Sequence, residues 1–255
     1  MDLGLEGARA VISGGSQGIG LAVAKELLRE GVSVCIAARR GEVVEAAVAE
    51  LSKIGTASGQ VCDVSDYEAT KKWMQDAAEQ MGGIDIVVHN ATASGQPPGG
   101  PEPWRKNFEI DVLGMVGMSE GAQPFLEASD RAALIQIASI TGIEHHDVPI
   151  SASYGAMKAA SIRHMAHLAQ QWGPKGIRAN TVAPGPIFIE GGAWDNIKEH
   201  ATALYERDRD QHPAKRLGTA EEVARVVAFL ASPAASWVNG ANVRVDGAFT
   251  RGVDF

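Results

Sequence analysis

Short apolar, β-branched runs alternate with helical patterns along the whole chain, and this alternation limits the fold more than any single residue does. The candidate strands read ARAVIS, VSVCIAA, ASGQVCDV, IDIVVHN, ALIQIAS, IRANTVAPG and NVRVDG. Most are continuous apolar runs, as strands covered on both faces require. The stretches between them carry helical spacing. In IGLAVAKELLREG, Ile19, Val23, Leu27 and Leu28 share one face and Gly31 ends the helix. EVVEAAVAELSKIG predicts a second helix that ends the same way at Gly55, and DYEATKKWMQDAAEQMGG opens at an Asp ahead of a third. Such alternation implies parallel strands, right-handed crossovers and helices on both faces. The expected fold is therefore α/β, a doubly wound parallel sheet of about seven strands.

The 255 residues suit one large α/β domain. No linker, repeat or low-complexity segment divides them, so residues 1–255 read as a single domain. Apolar residues make up 45% of the chain, enough for a core. A formal charge of −8 argues against a nucleic-acid surface, which needs clustered Lys and Arg. The seven histidines lack metal-ligand spacing, so no metal is expected. Cys35 and Cys62 each lie in a strand-like segment and read as buried thiols rather than a disulfide. That usage suits a cytoplasmic protein. MDLGLEGARA lacks a basic stretch followed by an apolar one, and no run approaches a membrane span, so no membrane partner is expected.

SGGSQGIG, Ser13 to Gly20, follows the first strand and opens the first helix. Backbone N–H groups at a helix N-terminus attract phosphate, and glycines permit close approach. The last glycine lets helix pack against strand. In the first βα unit of an alternating chain, the loop points to a dinucleotide, seated on Gly14, Ser16, Gln17, Gly18, Ile19 and Gly20. The spacing Gly14-x-x-x-Gly18-x-Gly20 departs from G-x-G-x-x-G.

That spacing resembles the short-chain dehydrogenase/reductase family in its single-domain, Rossmann-type form. The resemblance runs along nearly the whole chain. CDV resembles the family's adenine-contacting Asp-Val, which implies that Asp63 and Val64 meet the adenine. HNAT resembles its Asn-Asn-Ala-Gly, with Asn90 and Ala91 kept beside the cofactor. IAS ends at Ser139, where the family carries its catalytic serine, and YGAMK supplies Tyr154 and Lys158 of its Y-x-x-x-K. NTVAPGPI resembles the segment beside the nicotinamide and implies cofactor contacts at Pro184, Gly185 and Ile187. RLGTAEEVARVVAFLAS and VNGANVRVDG resemble the last helix and strand.

Tyr154 and Lys158 are four apart and share one helix face. A phenol with a pKa of about 10 is a poor base near neutrality, and a nearby cation favours its phenolate. Lys158 supplies that cation and, as in the family, a donor for the cofactor ribose. Ser139 polarises a substrate carbonyl or orients an alcohol. The expected reaction interconverts a secondary alcohol and a ketone by hydride transfer, with Tyr154 giving or taking the proton. Dinucleotide choice follows from the end of the second strand, CIAARR. Ala38 stands where the family's NAD users tend to have Asp, and Arg39 and Arg40 follow. Arginine pairs well with phosphate, so NADP(H) is expected ahead of NAD(H).

Three residues depart from the family pattern. His89 replaces its first Asn and reads as a buried, satisfied histidine, and Thr92 replaces its Gly. Asp111, in NFEIDVLGM, stands where a catalytic Asn is usual. That Asn holds a water linking the lysine to solvent; Asp111 takes its place as a carboxylate or as a protonated acid. The substrate pocket is expected along TASGQPPGG, TGIEHHDVPISAS and a lid around 186–212, with Trp194 in the lid and His145 and His146 on the rim. A small-molecule alcohol or ketone is the expected partner, and the family resemblance implies a homotetramer. The competing reading is a non-catalytic dinucleotide-sensing or scaffold protein on the same fold. Intact Ser139, Tyr154 and Lys158 favour the enzyme, because a sensor needs no proton donor.

Overall fold

The computed structural model describes residues 2–93, 99–145 and 152–252. In chain order, β1 (Arg9–Ser13) leads to α1 (Gly18–Arg29), β2 (Ser33–Ala38) to α2 (Gly41–Leu51), and β3 (Ala57–Val61) to α3 (Tyr67–Met81). After β4 (Ile86–His89), α4 (Glu102–Asn107) runs through a π-helical turn (Phe108–Leu113) into α5 (Gly114–Glu127). Next come β5 (Ala133–Ile137), α6 (Ala152–Trp172) and β6 (Arg178–Pro184). The chain then forms β7 (Ile187–Phe188), α7 (Ala193–His200), α8 (Thr202–Gln211) and β8 (Gly218–Thr219), and ends with α9 (Ala220–Ala231) and β9 (Asn242–Val245).

Among the described residues seven strands form one sheet in the order β3-β2-β1-β4-β5-β6-β9, and every neighbouring pair is parallel. All seven expected strands are present. The alternation of side chains along each strand divides the core in two. Ala10 and Ile12, Val34 and Ile36, and Ile135 and Ile137 face α1, α2 and α9, meeting Val23, Leu27, Leu51, Val223 and Val227. Val11, Cys35, Val87 and Leu134 face the other way, onto Trp73, Met74, Met115, Met118 and Trp172 of α3, α5 and α6. This is the doubly wound arrangement, and Cys35 and Cys62 are buried in it as free thiols.

Helix ends follow local chemistry. The Asp66 carboxylate accepts the Ala69 N–H at 3.0 Å and caps α3, which stops at Gly82 in the left-handed region. The second helix ends at Leu51 rather than Gly55. Leu51 is the last buried residue of its face, whereas Ile54 is exposed, so the next turn tightens into bonds from Lys53 N to Glu50 O and Ile54 N to Leu51 O. Strand order reverses between β1 and β4, and a sheet of this kind opens a crevice beyond the carboxyl ends of the strands at that point.

Candidate active site

A cleft of about 1170 Å³ lies at this reversal, roomier than the pockets that take single drug-sized molecules. One half is built on loops after β1, β2, β3 and β4. Gly14 and Gly18 hold φ near +62° and +56°, and with Ser16, Gln17 and Ile19 they border the cleft. Gly20 does not border it. A Cβ there would stand 2.3 Å from the Gly14 carbonyl oxygen, so its role is the close approach of α1 to the loop. Asn90 fastens the crevice from the far side: its Nδ2 donates to the carbonyls of Ser13 (3.2 Å) and Gly14 (3.0 Å). Ser13 Oγ in turn accepts the N–H groups of Asn90 and Ala91. Ala91 borders the cleft together with Asp63, Val64, Pro184, Gly185 and Ile187. Asp63 is held by Ser65, whose N–H and hydroxyl both donate to its Oδ1.

Arg39 and Arg40 stand exposed at the mouth beyond β2, next to Ala38. Neither makes an ion pair among the described residues, so both guanidinium groups remain available to an anionic ligand. The loop whose backbone leaves no room for Cβ atoms and the two open arginines fit a phosphorylated dinucleotide.

The other half of the cleft brings together residues from β5, α6 and the π-helical turn. Ser139 lies just beyond β5, and Tyr154 and Lys158 project from one face of α6, with Lys158 Nζ 5.5 Å from the Tyr154 ring centroid. Lys158 is buried. Its ammonium donates to the Ile137 carbonyl at 2.9 Å and pairs with Asp111 Oδ1 at 2.9 Å. Two of its three protons are thus committed and one is left for a ligand.

Asp111 is fully buried, yet four donors surround its carboxylate. Besides Lys158 these are the Thr92 hydroxyl (2.6 Å), Asn107 Nδ2 (3.0 Å) and the Ala93 N–H (3.2 Å). Burial alone would raise its pKa, but Lys158, Thr92 and Asn107 outweigh it and hold the carboxyl below its ordinary value. Burial would likewise lower the Lys158 pKa, and the charges of Asp111 and Tyr154 outweigh it and raise that pKa. The group at position 111 is therefore a carboxylate facing an ammonium. Two departures from the family pattern, Thr92 and Asp111, turn out to be one hydrogen-bonded pair.

His89, the third departure, is also buried, with Nδ1 2.9 Å from Gln136 Oε1. Its Nε2 meets no hydrogen-bond partner among the described residues, so the ring is only half satisfied. Burial first, then the Lys158 charge, push its pKa down to about 4, against smaller opposing effects of Asp111, Gln136 and the Ile110 carbonyl. A histidine held neutral when folded, with an ordinary pKa of 6.5 when unfolded, stabilises fully above pH 6.5 and loses that contribution as pH falls toward about 4. Urea unfolding of the wild type is expected to weaken across that window by more than that of His89→Asn. Parallel pH slopes in the two proteins would remove the assignment.

Trp194 borders the cleft from α7. His145 does not: it is exposed and outside the lining, as Glu144 and His145 both face solvent. His146 and the pocket walls expected at 94–98 and 146–151 lie outside the described residues. Sequence reasoning missed Asn107, which ties Asp111 to α6 by accepting the Ser153 hydroxyl at 2.8 Å. Thr141, beside Ser139, was expected only as the first residue of a pocket wall, with no role of its own; it borders the cleft. Both are polar residues next to recognised motifs, and that proximity was the only signal.

A family model described as enoyl-(acyl carrier protein) reductase matches residues 14–250. Isoepoxydon dehydrogenase of Penicillium expansum is 38% identical over 257 residues, covering 99% of this chain and 98% of its own. Dehydrogenase/reductase SDR family member 2 of Homo sapiens is 32% identical over 247 residues, covering 95% and 86%. The crystal structure of L-sorbose reductase from Gluconobacter frateurii, complexed with NADPH and L-sorbose, superposes with a TM-score of 0.91 at 28% identity, covering 99% of this chain and all of that one (100%).

Proposed function

The chain belongs to the short-chain dehydrogenase/reductase family, and from that premise we propose which of its residues carry the reaction, which dinucleotide it prefers and how it assembles. The protein is an NAD(P)(H)-dependent oxidoreductase that interconverts alcohols and ketones. The observation that carries the assignment of roles is Tyr154 and Lys158 on one face of α6, at the cleft that Ser139 borders. When bound, the nicotinamide supplies or accepts the hydride. Tyr154 gives its phenolic proton to the carbonyl oxygen in reduction and takes the hydroxyl proton in oxidation. Ser139 donates a hydrogen bond to the same oxygen. Lys158 keeps positive charge beside Tyr154 and offers its uncommitted proton to the ribose. Asp111, with Thr92 and Asn107, holds Lys158 in place. The segment 186–212 acts as the lid, bringing Trp194 and Ile197 of α7 over the cleft. A panel of ketones and alcohols with both dinucleotides tests this reading. Polyhydroxylated ketones come first, because a solved relative holds L-sorbose.

NADP(H) is the preferred dinucleotide, with Arg39 as the main 2′-phosphate contact and Arg40 supporting it. The unpaired guanidinium groups and the absence of a carboxylate at Ala38 support this. Ala38→Asp is expected to shift preference toward NAD(H), since a carboxylate repels the 2′-phosphate and accepts from a free 2′-hydroxyl. Equal kcat/KM with both dinucleotides in the wild type would count against the arginine argument.

The assembly is a homotetramer, in the cytoplasm. Most apolar residues of FEIDVLGMVGMSEGAQPFL and VARVVAFL are spent inside the monomer, Met115, Met118, Val223 and Val227 among them. Of these stretches Phe108 and Phe229 stay exposed, and Trp104 and Trp237, the last 99% exposed, add apolar surface for contact between copies. Sedimentation velocity at micromolar concentration is expected to show the tetramer, and a monomer alone would remove this assignment.

A further inference from the structure

We propose that Thr141 is a positioning residue that aims the Ser139 hydroxyl at the substrate oxygen. The inference rests on the role given to Ser139 above and explains how that role is enforced. Ser139 caps the short helical turn Ile140–Gly142, and Thr141 is bonded to it twice. The Thr141 N–H reaches Ser139 Oγ at 3.2 Å and the Thr141 hydroxyl reaches it at 3.0 Å. A serine hydroxyl has two acceptor lone pairs and one donor proton. With both lone pairs occupied from one side, the proton is left for the open cleft, which Ser139 and Thr141 both border.

The direction of the chain follows from its end. A ketone oxygen is an acceptor only, so with ketone bound the favoured sequence is Thr141 O–H to Ser139 O–H to carbonyl. Each donor in such a chain polarises the next. The turn is held against the helix that carries Tyr154 and Lys158. A Cβ at Gly142 would stand 2.8 Å from the Ala159 nitrogen, and one at Gly155 would stand 2.6 Å from the Thr141 carbonyl oxygen. Thr141 is therefore located by α6 itself, and through it Ser139 keeps a set orientation relative to Tyr154.

Thr141→Val keeps the side-chain shape and removes the hydroxyl. Ketone reduction is expected to lose about tenfold in kcat/KM, mainly in kcat, as for one hydrogen bond of ordinary strength. The dissociation constant for NADPH, read by fluorescence titration, is expected to stay unchanged, which also reports that the variant folds. Thr141→Ser is expected to restore activity. The same Thr141→Val change made in Ser139→Ala is expected to cost nothing further, because the hydroxyl it would orient is gone. Wild-type kcat/KM in Thr141→Val overturns the proposal, as does an equal loss in both backgrounds or no rescue by serine. If the valine variant does not fold, Thr141→Ala in the same two backgrounds decides by the same criteria. Failure of the underlying reading looks different: there Ser139→Ala itself turns over like the wild type. An impaired Ser139→Ala beside an unimpaired Thr141→Val sinks the Thr141 inference alone.

Discussion

Replacing Tyr154 by Phe is expected to lower turnover by about 10²–10⁴-fold, the usual contribution of a positioned acid or base, while leaving dinucleotide affinity nearly intact. The substitution removes one oxygen. The ring still packs on α6 beside Lys158, whose ammonium lies 5.5 Å from the ring centroid. Lys158 itself is held by Ile137 and Asp111, neither of which involves the phenol. The loss should therefore appear in kcat for both directions of the reaction. The measurement is steady-state turnover on an authentic substrate, paired with fluorescence titration of NADPH. Wild-type turnover would end the assignment of Tyr154. Loss of NADPH binding with the activity would move the residue from chemistry to cofactor support.

Asp111→Ala is expected to cost about 3–5 kcal/mol of stability, because it strands a buried ammonium without its counter-charge. Lys158 and Asp111 are both essentially closed to solvent, so water cannot take over the role of the lost partner. Removing both charges together, as in Asp111→Ala with Lys158→Met, should recover much of that loss, since a buried pair as a unit contributes little. Urea unfolding of the three proteins makes the comparison. An additive double variant would mean that the pair is not energetically coupled. Asp111→Asn asks a different question. It keeps the size and an oxygen for Thr92 but removes the charge. The carboxylate at 111 and the ammonium at 158 now neutralise each other beside Tyr154, and His89 on β4 is neutral above about pH 4. With an amide in its place the cation acts on the phenol unopposed, and alcohol oxidation should rise at lower pH. Such a limb belongs to the coupled set of groups rather than to one residue. A limb that stays put or moves upward in kcat/KM against pH would exclude this electrostatic role.

Much of the architecture was legible because its determinants are local. Continuous apolar runs marked buried parallel strands, and Tyr154 and Lys158 were legible as a pair because helical spacing puts them on one face. The turn at Phe108–Leu113 was not. In NFEIDVLGM the apolar residues Phe108, Ile110 and Val112 alternate with Glu109 and Asp111, and nothing local marks the π-helical hydrogen bonding that carries Asp111. The union of Thr92 with Asp111 was hidden for another reason: the two are brought together only by the packing of the π-helical turn beside the end of β4. Taken singly, each was a departure from the family's pattern with no stated link to the other. His145 was misplaced on the cleft rim because the resemblance locates a loop between Ser139 and Tyr154 but not the direction of its side chains. The helices α7 and α8 escaped detection for different reasons: α8 is highly charged and carries almost no apolar period, whereas α7 is amphipathic but only eight residues long, too short for Ala193, Trp194 and Ile197 to establish a period.

The small ladder between β7 and β8 makes the segment it encloses tolerant of added length. Ile187 pairs with Gly218 and Phe188 with Thr219, so the chain leaves the main layers and returns to them at neighbouring points, while in between Ile189 packs on the core and His212 lies against Phe249. Everything between Phe188 and Gly218 forms a closed excursion, with its own clasp where Lys198 lies over the rings of Phe188 (5.3 Å) and Tyr205 (5.9 Å). Added length inside such an excursion costs only slowly growing closure entropy and leaves the strands of the main sheet in register. Length added at its exposed positions can thus leave β6, α9 and β9 where they are. The excursion does not interrupt the stretch from β5 to α6, which carries Ser139, Tyr154 and Lys158.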